Sequence, residues 1–222
     1  MIETYPFTAA MAQAAAHAVE ARLIEGLRMR GRASLVATGG RSPGPVFDAL
    51  QDPAVDWARV VVTLSDERCV PPDAADSNAR LVRERLLTGS RRRAHFVPLW
   101  PEPASAALTA LSPFDAVMLG MGEDGHVASL IPGDPGLARA MDPASSLRVV
   151  AVPAGIGKPP VARVSLTLSS LLDSRAIFIL VAGDAKREVI ARAQAGADLP
   201  VRALLTQDRV PVRIFWSPSH EG

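Results

Sequence analysis

The sequence predicts an α/β fold: a mainly parallel sheet covered by helices on both faces, with a small mixed-strand region. Three observations carry this expectation. The runs "ASLVAT", "VVVTL", "FDAVML" and "AIFILV" are continuously apolar rather than alternating, as strands buried on both faces are. Most of these runs alternate with segments of helical periodicity. Three strand-like runs follow one another closely in the second half of the chain, which places a mixed region or small insertion there.

Taken in order, residues 7–30 read as an amphipathic helix, with Phe7, Met11, Ala14, Ala18, Leu23 and Leu27 near helical spacing and Gly31 as its stop. "ASLVAT" is a buried strand, followed by the turn "GGRSPG" and a helix-like "PVFDAL" with proline suited to the first turn. "ARVVVTL" is the next strand, then a loop "SDERCVPP" and a helix from Ser77 to Leu87, for which Ser77 and Asn78 are both competent caps. "HFVPL" reads as a strand, "PASAALTAL" as a short helix and "FDAVMLG" as a strand. "LRVVAVP", "ARVSLTL" and "AIFILVAG" are three further strands, "DAKREVIARAQ" is a helix and "VRIFW" closes the sheet. No repeat, low-complexity tract or linker interrupts the pattern, so residues 1–222 are expected to form a single domain.

Composition narrows the function classes. The chain is 48% hydrophobic and 21% charged with a formal net charge of +1, so no dedicated nucleic-acid surface is expected. Arg91, Arg92 and Arg93 form the only basic run and read as a solvated loop. Cys69 is the only cysteine, which rules out an intrachain disulfide and a thiolate metal cluster, and no neighbouring histidine supports it as a nucleophile. The start "MIETYPFTAAMAQ" has an acid and no apolar core, so no signal peptide is expected; no apolar stretch approaches bilayer length. The expected location is cytoplasmic. The sequence leaves open whether the chain is a monomer or a small homo-oligomer.

In open parallel sheets, ligands bind beyond the carboxyl ends of the strands. Four loops in such positions are rich in small, charged or titratable residues: Gly39-Gly40-Arg41-Ser42-Pro43, Ser65-Asp66-Glu67-Arg68, Gly120 to His126, and Ala182 to Lys186. The first suits an oxyanion, because paired glycines admit close backbone approach and Ser42 and Arg41 add a hydroxyl and a charge. Glycines serve a plain strand-to-helix turn equally well. Lys186 sits in a first helical turn, where a cation is mildly disfavoured unless an anion lies between. Asp66, Glu67 and Arg68 offer two carboxylates and a guanidinium, which also describes an ordinary ion-pair cluster at a turn. Of the four histidines only His126 lies in a glycine-rich loop beside acids. With Asp124 two residues before it, it has the makings of a general base with a carboxylate partner. His17, His95 and His220 read as structural or surface residues.

Gly120, Gly122 and Gly125 spell G-x-G-x-x-G after a strand, the written form of a dinucleotide fingerprint. That motif must open a full helix and be followed by an acid at the end of the next strand. Here Pro132 and Gly133 interrupt any such helix, and "LRVVAVP" ends without an acid. The context argues against dinucleotide binding and makes a nicotinamide-dependent oxidoreductase the weakest reading.

Together, "TGGRSPGPVFDAL", "TLSDERCVPPDAADSNARLVRERLL", "FDAVMLGMGEDGHVASLIPG", "KPPVARVSLTLSSLLDSRAIFILVAGDAKREVI" and "VPVRIFWSP" resemble, in order, the 6-phosphogluconolactonase family within the glucosamine-6-phosphate isomerase/deaminase superfamily. The resemblance runs from about Thr38 to Pro218, and the Asp-Glu-Arg and Asp-Gly-His-x-Ala-Ser-Leu blocks are its specific parts. It implies a Rossmann-like three-layer α/β/α fold, no metal and no cofactor. It also implies hydrolysis of 6-phospho-D-glucono-1,5-lactone to 6-phosphogluconate, in the oxidative pentose phosphate pathway. Carried over, His126 is the general base, Asp124 orients it, and Arg68 stabilises developing charge. The phosphate rests on Gly39, Gly40 and Ser42, with Arg163 and Lys186 as cations. Asp66 matches a catalytic acid/base position of the amino-sugar deaminase branch.

The sequence departs from the family's usual Ser-Gly-Gly-Ser-Thr-Pro in its first loop, where Arg41 and Ser42 follow the glycines and make Arg41 a further phosphate candidate. Val127 and Ile131 replace a common Thr and Phe. The deaminase branch usually follows its histidine with Phe-Asn-Glu-Pro; "VASLIPG" stands here, so that acid is missing. A non-catalytic sugar-phosphate-binding protein would be expected to lose the histidine or the Asp-Glu-Arg loop, and neither is lost.

Overall fold

Helix α1 (Thr8–Arg30) buries Met11, Ala15, Val19, Leu23 and Leu27, while Ala14 and Ala18 of the expected stripe are only partly buried. It ends at Gly31, whose φ of 71° is left-handed and whose N–H reaches the Leu27 carbonyl. Phe7, expected on the buried stripe, instead stands at the N-cap and is 53% exposed. The computed structural model describes residues 2–102 and 105–218, so His220 and the first two residues of "PASAALTAL" lie outside the described residues.

The main sheet contains β1 (Ile2–Thr4), β2 (Ala33–Ala37), β3 (Val60–Leu64), β5 (His95–Phe96), β6 (Ala116–Gly120), β9 (Ile177–Ala182) and β10 (Val212–Ser217). Its order is β1-β10-β9-β6-β2-β3-β5, and every pairing is parallel. β2 is buried along its whole length, and β6 and β9 up to their last residues, as strands covered on both faces must be. Helices α2 (Pro43–Ala49), α4 (Ser105–Leu111), α7 (Asp184–Gln194) and α8 (Pro200–Thr206) join α1 around it. From β2 the chain moves outward through β3 and β5, then returns to place β6 on the other side of β2. The order reverses between β2 and β6, which opens a crevice at their carboxyl ends.

The mixed region is a second, antiparallel sheet, β4-β8-β7, made of β4 (Asp66–Arg68), β7 (Val149–Val152) and β8 (Arg163–Leu166). Asp66–Arg68 therefore form a strand, not the expected loop; Asp and Glu are poor strand formers, and pairing with β8 overrides them. "ARVSLTL" ends as a strand at Leu166. Thr167 then caps α6 (Leu168–Leu172), accepting from the Ser170 N–H.

The helix expected over 77–87 is only partly α: α3 (Asn78–Leu81), capped by Ser77, passes into a π turn over Val82–Leu86. The Leu87 N–H reaches the Val82 carbonyl, closing that wider turn. β1, the short α5 (Leu137–Ala140) and α8 carried no sequence signal strong enough to be expected. Arg91 is not solvated as expected: it donates to the carbonyls of Leu86 and Leu50 and to the Thr88 hydroxyl, closing the end of the π turn. No helix among the described residues is long and apolar enough to cross a membrane.

Candidate active site

Each of the four loops leaves a strand at the same edge of the sheet, and they meet around a cavity of about 250 Å³. Hydroxyls stitch the loops together beneath it. Thr38, after β2, accepts from the Gly120 N–H at 3.4 Å, and its hydroxyl lies 3.1 Å from the Ser65 hydroxyl. Ser65, after β3, donates to Asp66 at 2.8 Å in the same contact network. Ser129, three residues past His126, donates to the other Asp66 oxygen at 2.7 Å, and its N–H reaches the Ser165 hydroxyl. Both oxygens of Asp66 thus accept serine hydroxyls inside a buried shell.

The first loop needs its glycines for separate reasons. A Cβ on Gly39 would lie 1.9 Å from the Asn78 Oδ1, inside the buried Asn78 side chain. Gly40 has φ of 97°, which a side chain would strain. Gly39→Ala is therefore expected to displace Asn78 and to destabilise the fold by about 1–3 kcal/mol, the range for overpacking. A urea melt at wild-type stability would contradict it. Ser42 stands before α2 but makes no capping bond to it.

The loop after β6 turns rather than opening a helix. The Gly122 N–H bonds the His126 carbonyl and the Gly125 N–H the Gly122 carbonyl, and Gly125 has φ of 78°. A Cβ on Gly122 would lie 2.3 Å from the His126 Nδ1, so that glycine makes room for the imidazole. The His126 Nδ1 sits 2.6 Å from the Asp124 Oδ1, which also accepts the His126 N–H at 3.2 Å. Burial opposes ionisation of Asp124, but the hydrogen bonds and charge of His126 outweigh it and hold its pKa below the ordinary value. Ala128 follows in a left-handed conformation, φ 51°, which costs a non-glycine residue about 1–2 kcal/mol.

Across the cavity, β4 and β8 set Arg68 directly opposite Arg163. Like charges in that register repel. Burial and then the Arg68 charge lower the Arg163 pKa, and the buried Nε atoms of both arginines have no hydrogen-bond partner among the described residues. Lys186, in the first turn of α7, is lowered by burial and then by Arg41; Glu123 and Asp124 offset this in part. Arg41, Arg68, Lys158, Arg163 and Lys186 all line the same cavity, with His126 at its side. Such a concentration of cations suits an anionic ligand.

Every site residue named from sequence lies here: Gly39, Gly40, Arg41, Ser42, Asp66, Arg68, His126, Arg163 and Lys186 line the cavity, and Asp124 contacts His126. Lining residues not singled out from the sequence include Asn78 and Lys158. Asn78 read as a helix cap, and Lys158 lay unassigned in the "KPP" block. Cys69 has its pKa raised by burial and by Glu67, the reverse of an activated thiol. A larger hollow of about 610 Å³ lies between α5 and α8 and holds none of these groups. Among the described residues no His, Cys, Asp or Glu cluster is arranged to hold a metal.

A family model, glucosamine-6-phosphate isomerases/6-phosphogluconolactonase, matches residues 6–216. The chain belongs to this family. It is 41% identical to a 6-phosphogluconolactonase of Rhizobium meliloti (strain 1021), over 94% of this chain and 95% of that one. A 6-phosphogluconolactonase of Caulobacter vibrioides is also 41% identical, over 92% of this chain and 91% of its own. Among solved structures, a 6-phosphogluconolactonase from Shewanella baltica OS155 superposes with a TM-score of 0.90 at 36% identity, covering 98% of this chain and 97% of that one. The fold's switch point and the histidine-bearing loop occupy the same crevice in this chain.

Proposed function

We propose that the chain hydrolyses 6-phospho-D-glucono-1,5-lactone to 6-phospho-D-gluconate, as a cofactor-free step of the oxidative pentose phosphate pathway. The observation that carries this reading is an imidazole braced by a carboxylate, His126 on Asp124, at the side of a cavity lined by cations. Similarity to 6-phosphogluconolactonases over nearly the whole chain supports the substrate. With Asp124 accepting from Nδ1–H, the Nε2 lone pair of His126 is left to take a proton from water. That water attacks C1 of the lactone, and the carbonyl electrons move to oxygen, where Arg68 stabilises the oxyanion.

Collapse re-forms the carbonyl and breaks the bond from C1 to the ring oxygen. The imidazolium returns its proton to that leaving oxygen, so histidine is regenerated. Gly39, Gly40, Arg41, Ser42, Arg163 and Lys186 hold the phosphate, which fixes C1 against His126. Lys158 adds charge at the rim. Asp66, with both oxygens taken by serine hydroxyls, is held in place beside Arg163. The reading takes residues 1–222 as one domain working in the cytoplasm, as a monomer or small homo-oligomer.

The test is the rate of lactone opening with purified protein against an enzyme-free control at matched pH, since the lactone also opens unaided. Acceleration is expected. A rate equal to the control would end the lactonase reading.

A further inference from the structure

The middle residue of the Asp-Glu-Arg block is absorbed by neither the general-base nor the phosphate assignment. Glu67 is 2% exposed, and its carboxylate is saturated by four donors. Its Oε1 accepts the N–H of Arg68 at 2.7 Å and of Asn78 at 2.8 Å. Its Oε2 accepts the N–H of Ala79 at 2.6 Å and the Ser77 hydroxyl at 3.1 Å. One buried side chain therefore joins β4, where Arg68 is carried, to the first turn of α3.

The second half of this clamp leads to the other side of the cavity. Asn78 donates from Nδ2 to the Asp66 carbonyl at 2.9 Å and packs against Gly39 so closely that no Cβ fits between them. Arg68 is also tied by Nη1 to the Asp76 carbonyl at 2.5 Å, on the same α3 approach. Moving the start of α3 would thus shift both Arg68 and the support beneath Gly39-Gly40.

We propose that Glu67 is a positioning residue: it holds Arg68 at the reacting end of the cavity and, through Asn78, holds the Gly39-Gly40 loop at the phosphate end. The proposal rests on the lactonase reading for the meaning of those two ends. Glutamine at 67 would turn a donor toward backbone N–H groups that need an acceptor, whereas aspartate keeps the charge one methylene short.

The experiment is a set of double-mutant cycles on the full chain, with kcat and KM for 6-phosphogluconolactone and the melting temperature recorded for each variant. Glu67→Gln is expected to lower kcat/KM about 100-fold, the scale of misplacing a site by an ångström, with KM raised as well as kcat lowered. Glu67→Asp is expected to recover part of the loss. Because Glu67 acts through its neighbours, Glu67→Gln is expected to cost far less on top of Arg68→Ala together with Asn78→Ala than alone. Full multiplication of the losses, or wild-type kcat/KM in Glu67→Gln, would overturn the proposal.

Should Glu67→Gln fail to fold, Asn78→Ala decides the matter, since it leaves all four donors to Glu67 in place. A raised KM supports the relay to the phosphate loop, and a wild-type KM overturns it. If the wild-type protein did not beat the uncatalysed rate, the lactonase reading would fall by itself. Calorimetric titration of inorganic phosphate into wild type and Asn78→Ala would still judge the clamp, weaker binding by Asn78→Ala supporting it and equal binding overturning it.

Discussion

Alanine at position 126 is expected to lower kcat for 6-phosphogluconolactone by about 10²–10⁴-fold, the contribution of a positioned general base. KM should change little, because a group that acts only in the transition state leaves ground-state binding alone. His126 is 31% exposed in its side chain and bonded through its ring to Asp124, itself 47% exposed, so the variant should melt near the wild-type temperature. Progress curves corrected for spontaneous opening are the measurement. Wild-type kcat in the alanine variant would remove His126 from the mechanism. Asp124→Asn should also lose much of kcat, up to about 10⁴-fold, since an amide no longer fixes the tautomer that leaves Nε2 free. The depressed pKa of Asp124 means that its small contribution to stability is present above the ordinary carboxylate range and is lost as pH falls through the lowered value. Loss of activity at mildly acidic pH would therefore not come from Asp124.

Lys186→Met should do the opposite to KM and kcat. Losing a hydrogen bond to a charged group removes about 1.5–3 kcal/mol of binding, which raises KM about 10- to 100-fold. kcat should hold within a few-fold once substrate is saturating. Methionine keeps the unbranched stem packed while removing the charge. Burial, and then repulsion from Arg41, lower the Lys186 pKa in the folded chain, so the fold binds this proton less well than the unfolded chain does. Stability from this site therefore rises with pH through the interval between the two values, and below it the full cost of the charge is present. In phosphate-free buffer the methionine variant is expected to melt at the wild-type temperature or above. An unchanged KM would remove Lys186 from the phosphate site.

The sheet was legible because its strands are buried on both faces and so are written as unbroken apolar runs. The four loops were legible for a related reason: in a parallel sheet every strand delivers its polar exit to the same edge. What the sequence hid was context. β4 is three polar residues that become a strand only because β8 lies beside them, and no local pattern encodes that pairing. Asn78 was visible as a cap, but its contact with Gly39 depends on how α3 packs against the loop after β2. Glu67 stood in plain view as part of an acidic cluster, yet only the position of α3 and its cap supplies three of its four donors. Lys158 gave no signal, because its loop reaches the cavity only when the β7–β8 hairpin is formed. The G-x-G-x-x-G run carried the opposite lesson: its glycines accommodate the imidazole and the turn.

The opposed arginines of β4 and β8 also bear on how long the chain survives. Folding brings Arg68 and Arg163 face to face before any substrate arrives, so the resting molecule carries an electrostatic load that a bound anion relieves. A ligand that binds only the folded state raises stability by RT ln(1 + [L]/Kd), about 2.7 kcal/mol at a hundredfold excess over Kd. On the proposed reading, sugar phosphates passing through the cavity are therefore more than reactants. Their concentration would shift the balance between folded and unfolded chains, so the filled cavity is the more stable form of the fold.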